Sequence, residues 1–247
     1  MTAQVRRYRL GRLALLSMEP AELFRVSEPG LRHVVTVNSE ILVLAHEEPA
    51  YGALLERTWN TIDGRPLQWL AALLNAGPPP RRLSGSDSLE PLAAHCRDTG
   101  GRLFLLGGSE RANRQACDQL RARYRGLRLE GYAPPVIDSI DDESWNTTIF
   151  TRLARFRPDY LVVAFGSPKG EYWIDRARPR LEVMGVRFAA GFGGAINFVA
   201  KVVPRAPRWV QVCGLEWLFR LVVERGRFRR TLRMFRMPYH AIRKQRG

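Results

Sequence analysis

Four short apolar runs, each ending in glycine or small polar residues, constrain this chain more than any other feature. His33–Val37 (HVVTV) leads into Asn38, and Arg102–Leu106 (RLFLL) leads into Gly107-Gly108-Ser109. Tyr160–Phe165 (YLVVAF) ends at Gly166-Ser167-Pro168, and Val186–Ala190 ends at Gly191-Phe-Gly-Gly194. A fifth run, Leu127–Gly131, precedes Pro134-Pro135. Runs of about five apolar residues without polar alternation read as strands buried on both faces. Helical stretches lie between them: Asn38 and Ser39 are placed to cap one running to about Ala45, and another extends through Tyr124. The pattern predicts an α/β fold, a Rossmann-like, mostly parallel sheet with flanking helices. Such sheets bind ligands outside the carboxyl ends of their strands. The residues at 36–38, 107–108, 166–168 and 191–194 are therefore expected to line one crevice.

Charge divides the chain in two. The net charge is +15, but 13 of the 39 basic residues fall after residue 200, where only Glu216 and Glu224 oppose them. The last 47 residues thus carry +11 and residues 1–200 carry +4. The reading is an α/β domain over 1–200 and a basic appendage over 201–247. In that appendage Trp209, Val212, Leu215, Phe219, Val222 and Val223 repeat at helical spacing. After Gly226, Phe228, Leu232 and Phe235 share one face beside Arg229, Arg233 and Arg236. Short basic amphipathic helices with aromatics suit an anionic membrane surface.

Bulk properties exclude several classes. Three cysteines, Cys96, Cys117 and Cys213, without CxxC spacing argue against a disulfide framework or a common zinc site. The uncharged run 188–200 is too short to span a bilayer, which takes roughly 20 residues. Leu13–Met18 is too short for a secretory signal core, so the chain is expected to stay where it is made. Four scattered histidines and no GxSxG elbow disfavour hydrolase chemistry.

Several segments carry candidate chemistry beside plainer structural roles. Asp63, in Thr61-Ile-Asp-Gly64, is either a turn residue or a general base that takes a proton from an attacking hydroxyl. Ser84-Gly85-Ser-Asp87 could offer hydroxyls and main-chain N–H groups to phosphate or ribose, or simply cap a helix. Gly107-Gly108-Ser-Glu110 resembles a phosphate-cradling turn without completing GxGxxG. Lys169 could meet a phosphate and Glu171 a hydroxyl; the alternative is a solvated loop holding an ion pair. Asp138, Asp141, Asp142 and Glu143 either attract a divalent cation or mark a helix start.

Taken in order, these segments resemble the WecG/TagA/CpsF family of bacterial glycosyltransferases. The resemblance runs through Thr36-Val-Asn38 with 41–45, Asp63-Gly64, 66–69, Ser84–Asp87, 104–108 and Gly131-Tyr132. It continues through Gly166–Lys169 with Glu171 and Trp173, and Gly193-Gly194. It closes in Arg205-Ala-Pro-Arg208-Trp209 and Gly214-Leu-Glu-Trp217 with Arg220, covering about residues 30–235. It implies an inverting transferase that moves a sugar from a UDP-sugar to a polyprenyl (undecaprenyl)-diphosphate-linked sugar. No cofactor or metal is implied, and an appendage would hold the enzyme on the cytoplasmic face of the membrane. By position, Asp63 would be the general base, with Thr36, Asn38 and Gly64 beside it. The turns at Gly107, Gly108, Gly166, Gly193 and Gly194, with Lys169, Glu171 and Asn197, would hold the nucleotide. Arg205, Arg208, Arg220, Arg225, Arg229 and Arg233 would neutralise the acceptor diphosphate. Gly170 stands where the family has Gln, and Asn197 where it has Asp. The implied donor is accordingly N-acetylmannosamine or a related hexose. A homo-oligomer completing the site is left open. The competing classes are a dinucleotide-dependent oxidoreductase and a nucleic-acid-binding protein using the basic tail.

Overall fold

The computed structural model describes residues 5–135, 139–202, 207, 210, 219 and 236–242. Two compact units emerge: one gathers residues 1–18, 36–84 and 204–247, the other 19–35 and 85–203. Strand β3 (Arg32–Val37) crosses the boundary and contributes to both.

The first unit begins with a hairpin, β1 (Arg6–Leu10) antiparallel to β2 (Leu13–Ser17), to which the sequence reading assigned no strand. Its logic is alternation: Tyr8 and Leu10 are buried while Arg7 and Arg9 face out. Gly11 turns the chain with φ +56, and a Cβ there would lie 2.2 Å from the His46 ring. Strand β4 (Trp59–Ile62) runs parallel to β2. It too escaped the sequence reading, because Asn60 and Thr61 are polar. Both are buried with their hydrogen bonds made: Asn60 Nδ2 donates to Leu55 O (2.7 Å) and Thr61 Oγ1 to Leu83 O (2.9 Å). Helices α2 (Ser39–Glu47), α3 (Pro49–Leu55) and α4 (Arg65–Leu74) complete this part.

The second unit is the parallel sheet that the apolar runs predict. Its order is β3-β8-β7-β5-β6, with β5 (Arg102–Gly107), β6 (Arg128–Tyr132), β7 (Tyr160–Ala164) and β8 (Phe188–Gly191). With β1-β2-β4-β3 in the first unit, the chain forms an eight-stranded, mostly parallel sheet with flanking helices. Strand β8 starts two residues later than expected. Helices α1 (Pro20–Phe24), α5 (Gly85–Thr99), α6 (Glu110–Arg123), α7 (Glu143–Phe156), α8 (Lys169–Val183) and α9 (Ala195–Val199) belong to this unit. One face of its sheet buries Phe104, Leu106, Leu161, Val163 and Ala189 against Trp145, Ile149, Leu153, Trp173, Ile174 and Leu181 of α7 and α8. Within that layer Trp173 stacks on Phe150 at 5.9 Å and donates its indole N–H to Asn146 Oδ1 (2.9 Å).

Of the expected appendage, the described part is residues 201–202, the single residues 207, 210 and 219, then Arg236 and helix α10 (Met237–Ile242). The helical stripes read from the sequence at 209–235 lie otherwise outside the described residues. Helix α10 packs within the first unit: Gly11 N–H donates to Ala241 O (3.0 Å), and Arg236 Nη1 to Glu47 Oε1 (3.1 Å). Among the described residues, no helix is long and apolar enough to cross a membrane.

Candidate active site

Within the first unit, the candidate residues gather at the carboxyl ends of β3 and β4. Thr36 is buried near the end of β3, and Asn38 caps α2, its Oδ1 accepting from Ile41 N–H (2.9 Å). Asp63 follows β4 directly. Its N–H donates to Val37 O (2.8 Å), so the loop is pinned to β3 while the residue stays half-exposed. Gly64 adopts φ +93, a left-handed conformation, and starts α4 with Pro66 in its first turn. That helix cannot be entered directly from β4, and the turn leaves Asp63 at the strand mouth. Ser84 is buried, laid down by Leu83 N–H donating to Ile62 O (2.9 Å).

Within the second unit, the glycine turns converge. Gly107 (φ +97) lies so close to β7 that a Cβ would sit 3.0 Å from the Ala164 backbone. Gly108 (φ +75) would touch Ile196 of α9 at 3.4 Å, and Gly193 would approach Gly166 at 3.9 Å. Gly85, at the start of α5, packs on Phe192, and Asp87 lies in that helix's first turn. Gly194 caps α9, which carries the half-buried Asn197. The turns after β5, β7 and β8 therefore meet, as the sheet rule requires.

Glu171 overturns the solvated-loop alternative. It lies on α8 with 1% exposure and accepts from Ser167 Oγ (2.6 Å). Its Oε2 has no hydrogen-bond partner among the described residues. Burial pushes the carboxyl above its ordinary range, against the hydrogen bond from Ser167. It also explains Gly191: a Cβ there would crowd Glu171 Oε1 at 3.0 Å. Lys169 opens the same helix.

A cavity of about 1090 Å³ opens beside these turns, large enough for a nucleotide sugar. Gly107, Gly108 and Lys169 of the expected set line it; Gly85, Asp87, Gly166, Glu171, Gly193, Gly194 and Asn197 do not. Ser109, Glu110, Gly131 and Tyr132, also named in the sequence reading, line it beside groups that reading missed as functional. Arg114, Arg121 and Arg152 add positive charge, partly offset by Glu110 and Asp118 on the same walls, and Arg152 stacks 4.3 Å over the Tyr132 ring. Asn113 holds the floor, donating to Leu105 O (3.0 Å) and Gly107 O (2.8 Å). The signal for Asn113 was its place in the stripe of Ala112, Ala116, Cys117 and Leu120, where only a bonded amide belongs.

The acidic cluster resolves as a helix start. Asp142 caps α7, accepting from Ser144 N–H (2.8 Å), and Asp141 pairs with Arg176. Asp138 lies outside the described residues. Among the described residues, no three His, Cys, Asp or Glu side chains converge as metal ligands would. The tail arginines Arg205, Arg208, Arg220, Arg225, Arg229 and Arg233 also lie outside the described residues.

Comparison with known proteins adds a family. The chain matches the model of the glycosyl transferase WecG/TagA/CpsF family over residues 12–247. It is 26% identical over 211 residues to the N-acetylglucosaminyldiphosphoundecaprenol N-acetyl-beta-D-mannosaminyltransferase of Bacillus subtilis (strain 168), covering 85% of this chain and 77% of that one. The protein of the same name from Bacillus spizizenii (strain W23) is 26% identical over 200 residues, covering 81% and 74%.

Proposed function

The chain belongs to the WecG/TagA/CpsF family of glycosyltransferases, and from that premise we propose that it moves a sugar from a UDP-sugar to a polyprenyl-diphosphate-linked sugar. Of the function classes the sequence left open, family membership selects sugar transfer over hydride transfer or nucleic-acid binding. The finer reading is an inverting, single-displacement reaction with Asp63 as general base. One observation carries it: Asp63 is the half-exposed carboxylate that β3 and β4 hold at their carboxyl ends, fixed through its own backbone N–H.

In this reading the Asp63 carboxylate takes the proton of the acceptor hydroxyl as its oxygen attacks the anomeric carbon. The bond from that carbon to the UDP oxygen breaks on the opposite side, and UDP leaves with the electron pair. Asn38 keeps Oδ1 on the α2 cap, leaving its amide N–H groups for a sugar hydroxyl or phosphate. The glycine turns and Lys169, with Arg152 beside them, suit the donor diphosphate. The sequence-read catalytic domain over 1–200 and basic appendage over 201–247 divide the work. The appendage arginines neutralise the acceptor diphosphate and hold the enzyme on the cytoplasmic membrane face, and no metal is needed. The relatives' names favour an N-acetylmannosaminyl donor and an undecaprenyl-diphosphate N-acetylglucosamine acceptor. The test is transfer from a panel of UDP-sugars to a synthetic polyprenyl-diphosphate N-acetylglucosamine, with the product linkage determined. Transfer from UDP-N-acetylmannosamine with inversion is expected, and no transfer across the panel overturns the proposal.

A further inference from the structure

Helix α4 carries a feature that the transfer chemistry does not use. Its inner face buries Leu67, Gln68 and Ala71. Its outer face leaves Trp69 53% and Leu73 76% exposed, one turn apart, with Leu70 and Leu74 half-buried beside them. Single exposed apolar residues need no explanation, but a tryptophan and a leucine stacked on one short helix form a patch.

The segments that carry β1 and α4 are one-signed. Residues 1–18 and 64–84 together hold seven arginines and no aspartate or glutamate. Arg12 pairs with Glu56 (2.8 Å), and the side chains of Arg6, Arg7, Arg9 and Arg81 are exposed to solvent. Strand β1 is stitched to the end of α4. Asn75 accepts from Arg9 N–H (2.9 Å) and donates to Arg9 O (3.0 Å), while Tyr8 OH donates to Pro78 O (2.8 Å). The arginine edge therefore runs beside the apolar face, within one unit.

Charge decides what covers this face. A second copy meeting it across a two-fold axis would set these arginines against themselves. An anionic lipid surface matches both parts. Tryptophan favours the headgroup level, leucine the acyl boundary, and each arginine near the surface adds attraction. A ten-residue helix is about 15 Å long, suited to lying in the interface and too short to cross it. Trp69 stands four residues into α4 from Arg65, about 6 Å along the helix axis, and Asp63 lies two residues before the helix starts. We infer that α4, flanked by the arginines of β1 and Arg81, rests on the anionic face of a lipid bilayer and sets Asp63 close to that plane. This deepens the reading that the acceptor is a bilayer lipid, yet vesicle binding needs no substrate, so the two stand or fall separately.

The test uses the full chain and vesicles of phosphatidylcholine with or without phosphatidylglycerol. Trp69→Ser with Leu73→Ser removes only exposed side chains, and partitioning onto the anionic vesicles is expected to fall roughly tenfold. Arg6→Gln with Arg7→Gln, on a different element, is expected to lower it about fivefold per charge and to leave α4 untouched. Amide exchange across 65–74 in the unaltered chain is expected to slow when anionic vesicles are added, a local signal that attachment elsewhere in the chain would not produce. Unchanged partitioning of both variants, or unchanged exchange over 65–74, overturns the inference. So does a dimer that Trp69→Ser with Leu73→Ser converts to monomer, because the patch would then bind a second copy.

Discussion

The two units end their strands differently, and the contrast separates two kinds of chemistry. In the first, β3 and β4 finish in side chains that can act, Thr36, Asn38 and Asp63. In the second, β5, β7 and β8 finish in glycine turns, and the charge comes from Lys169, Arg114, Arg121 and Arg152 around the cavity. A proton-accepting carboxylate needs a side chain held at a mouth, whereas a diphosphate needs main-chain N–H groups and cations with room beside them. On the proposed reading, a single sheet rule, sites at carboxyl ends, gives a base in one unit and an anion cradle in the other.

The hardest way to break that contrast is Asp63→Asn. The amide keeps the shape and the backbone bond to Val37, but it cannot take a proton. The turnover rate should fall about 10²–10⁴-fold, the range general bases contribute, while UDP still raises the melting temperature as it does for the unaltered chain. Near-normal turnover would remove Asp63 as base, and loss of UDP stabilisation would place it in the cradle instead.

Asn113→Ala attacks the other side of the comparison. It strips two hydrogen bonds from the turn that ends β5 and leaves the carbonyls of Leu105 and Gly107 short of a donor in a buried place. Gly131 is shaped around the same side chain, since a Cβ there would lie 2.1 Å from Asn113 Oδ1. About 2–3 kcal/mol of stability should go, lowering the melting temperature by roughly 5–10 °C, with weaker UDP binding. A melting temperature within about 1 °C of the unaltered chain would show that the turn holds itself.

What the sequence disclosed follows from this same division. Strands β5 and β7 were legible because both faces are buried, so every residue is apolar and the run stands out. Strand β4 was not, since Asn60 and Thr61 satisfy their polar groups on Leu55 and Leu83, partners that only folding brings near. The β1–β2 hairpin hid behind its arginines, which serve an exposed edge. Asp63 was visible as a lone carboxylate in a turn at a family position. Arg152 was not, because it comes from α7 and meets Tyr132 of β6 only across the cavity wall. Glu171 was singled out, but its burial was invisible: a charged residue three past Pro168 and one past Gly170 reads as solvated until α8 packs.

Glu171 supplies the smallest effect and the finest test of the cradle. Its carboxyl is held above the ordinary range by burial, so between the unfolded value, about 4.3, and the raised folded value the native chain binds the extra proton. The unfolded state then binds fewer protons than the folded one, and this group's contribution to stability falls as pH rises through that window. Glu171→Gln retains the oxygen that accepts from Ser167 Oγ and cannot ionise. Melting curves should therefore show Glu171→Gln gaining on the unaltered chain as pH is raised from 5 to 8, with the smallest difference at pH 5. A constant offset across that range would mean the carboxyl does not titrate there. If the gain appears and UDP binding weakens with it, the second oxygen is used by the nucleotide; if binding holds, Glu171 serves only to anchor Ser167 beside Gly191, and the cradle rests on main chain and arginine alone.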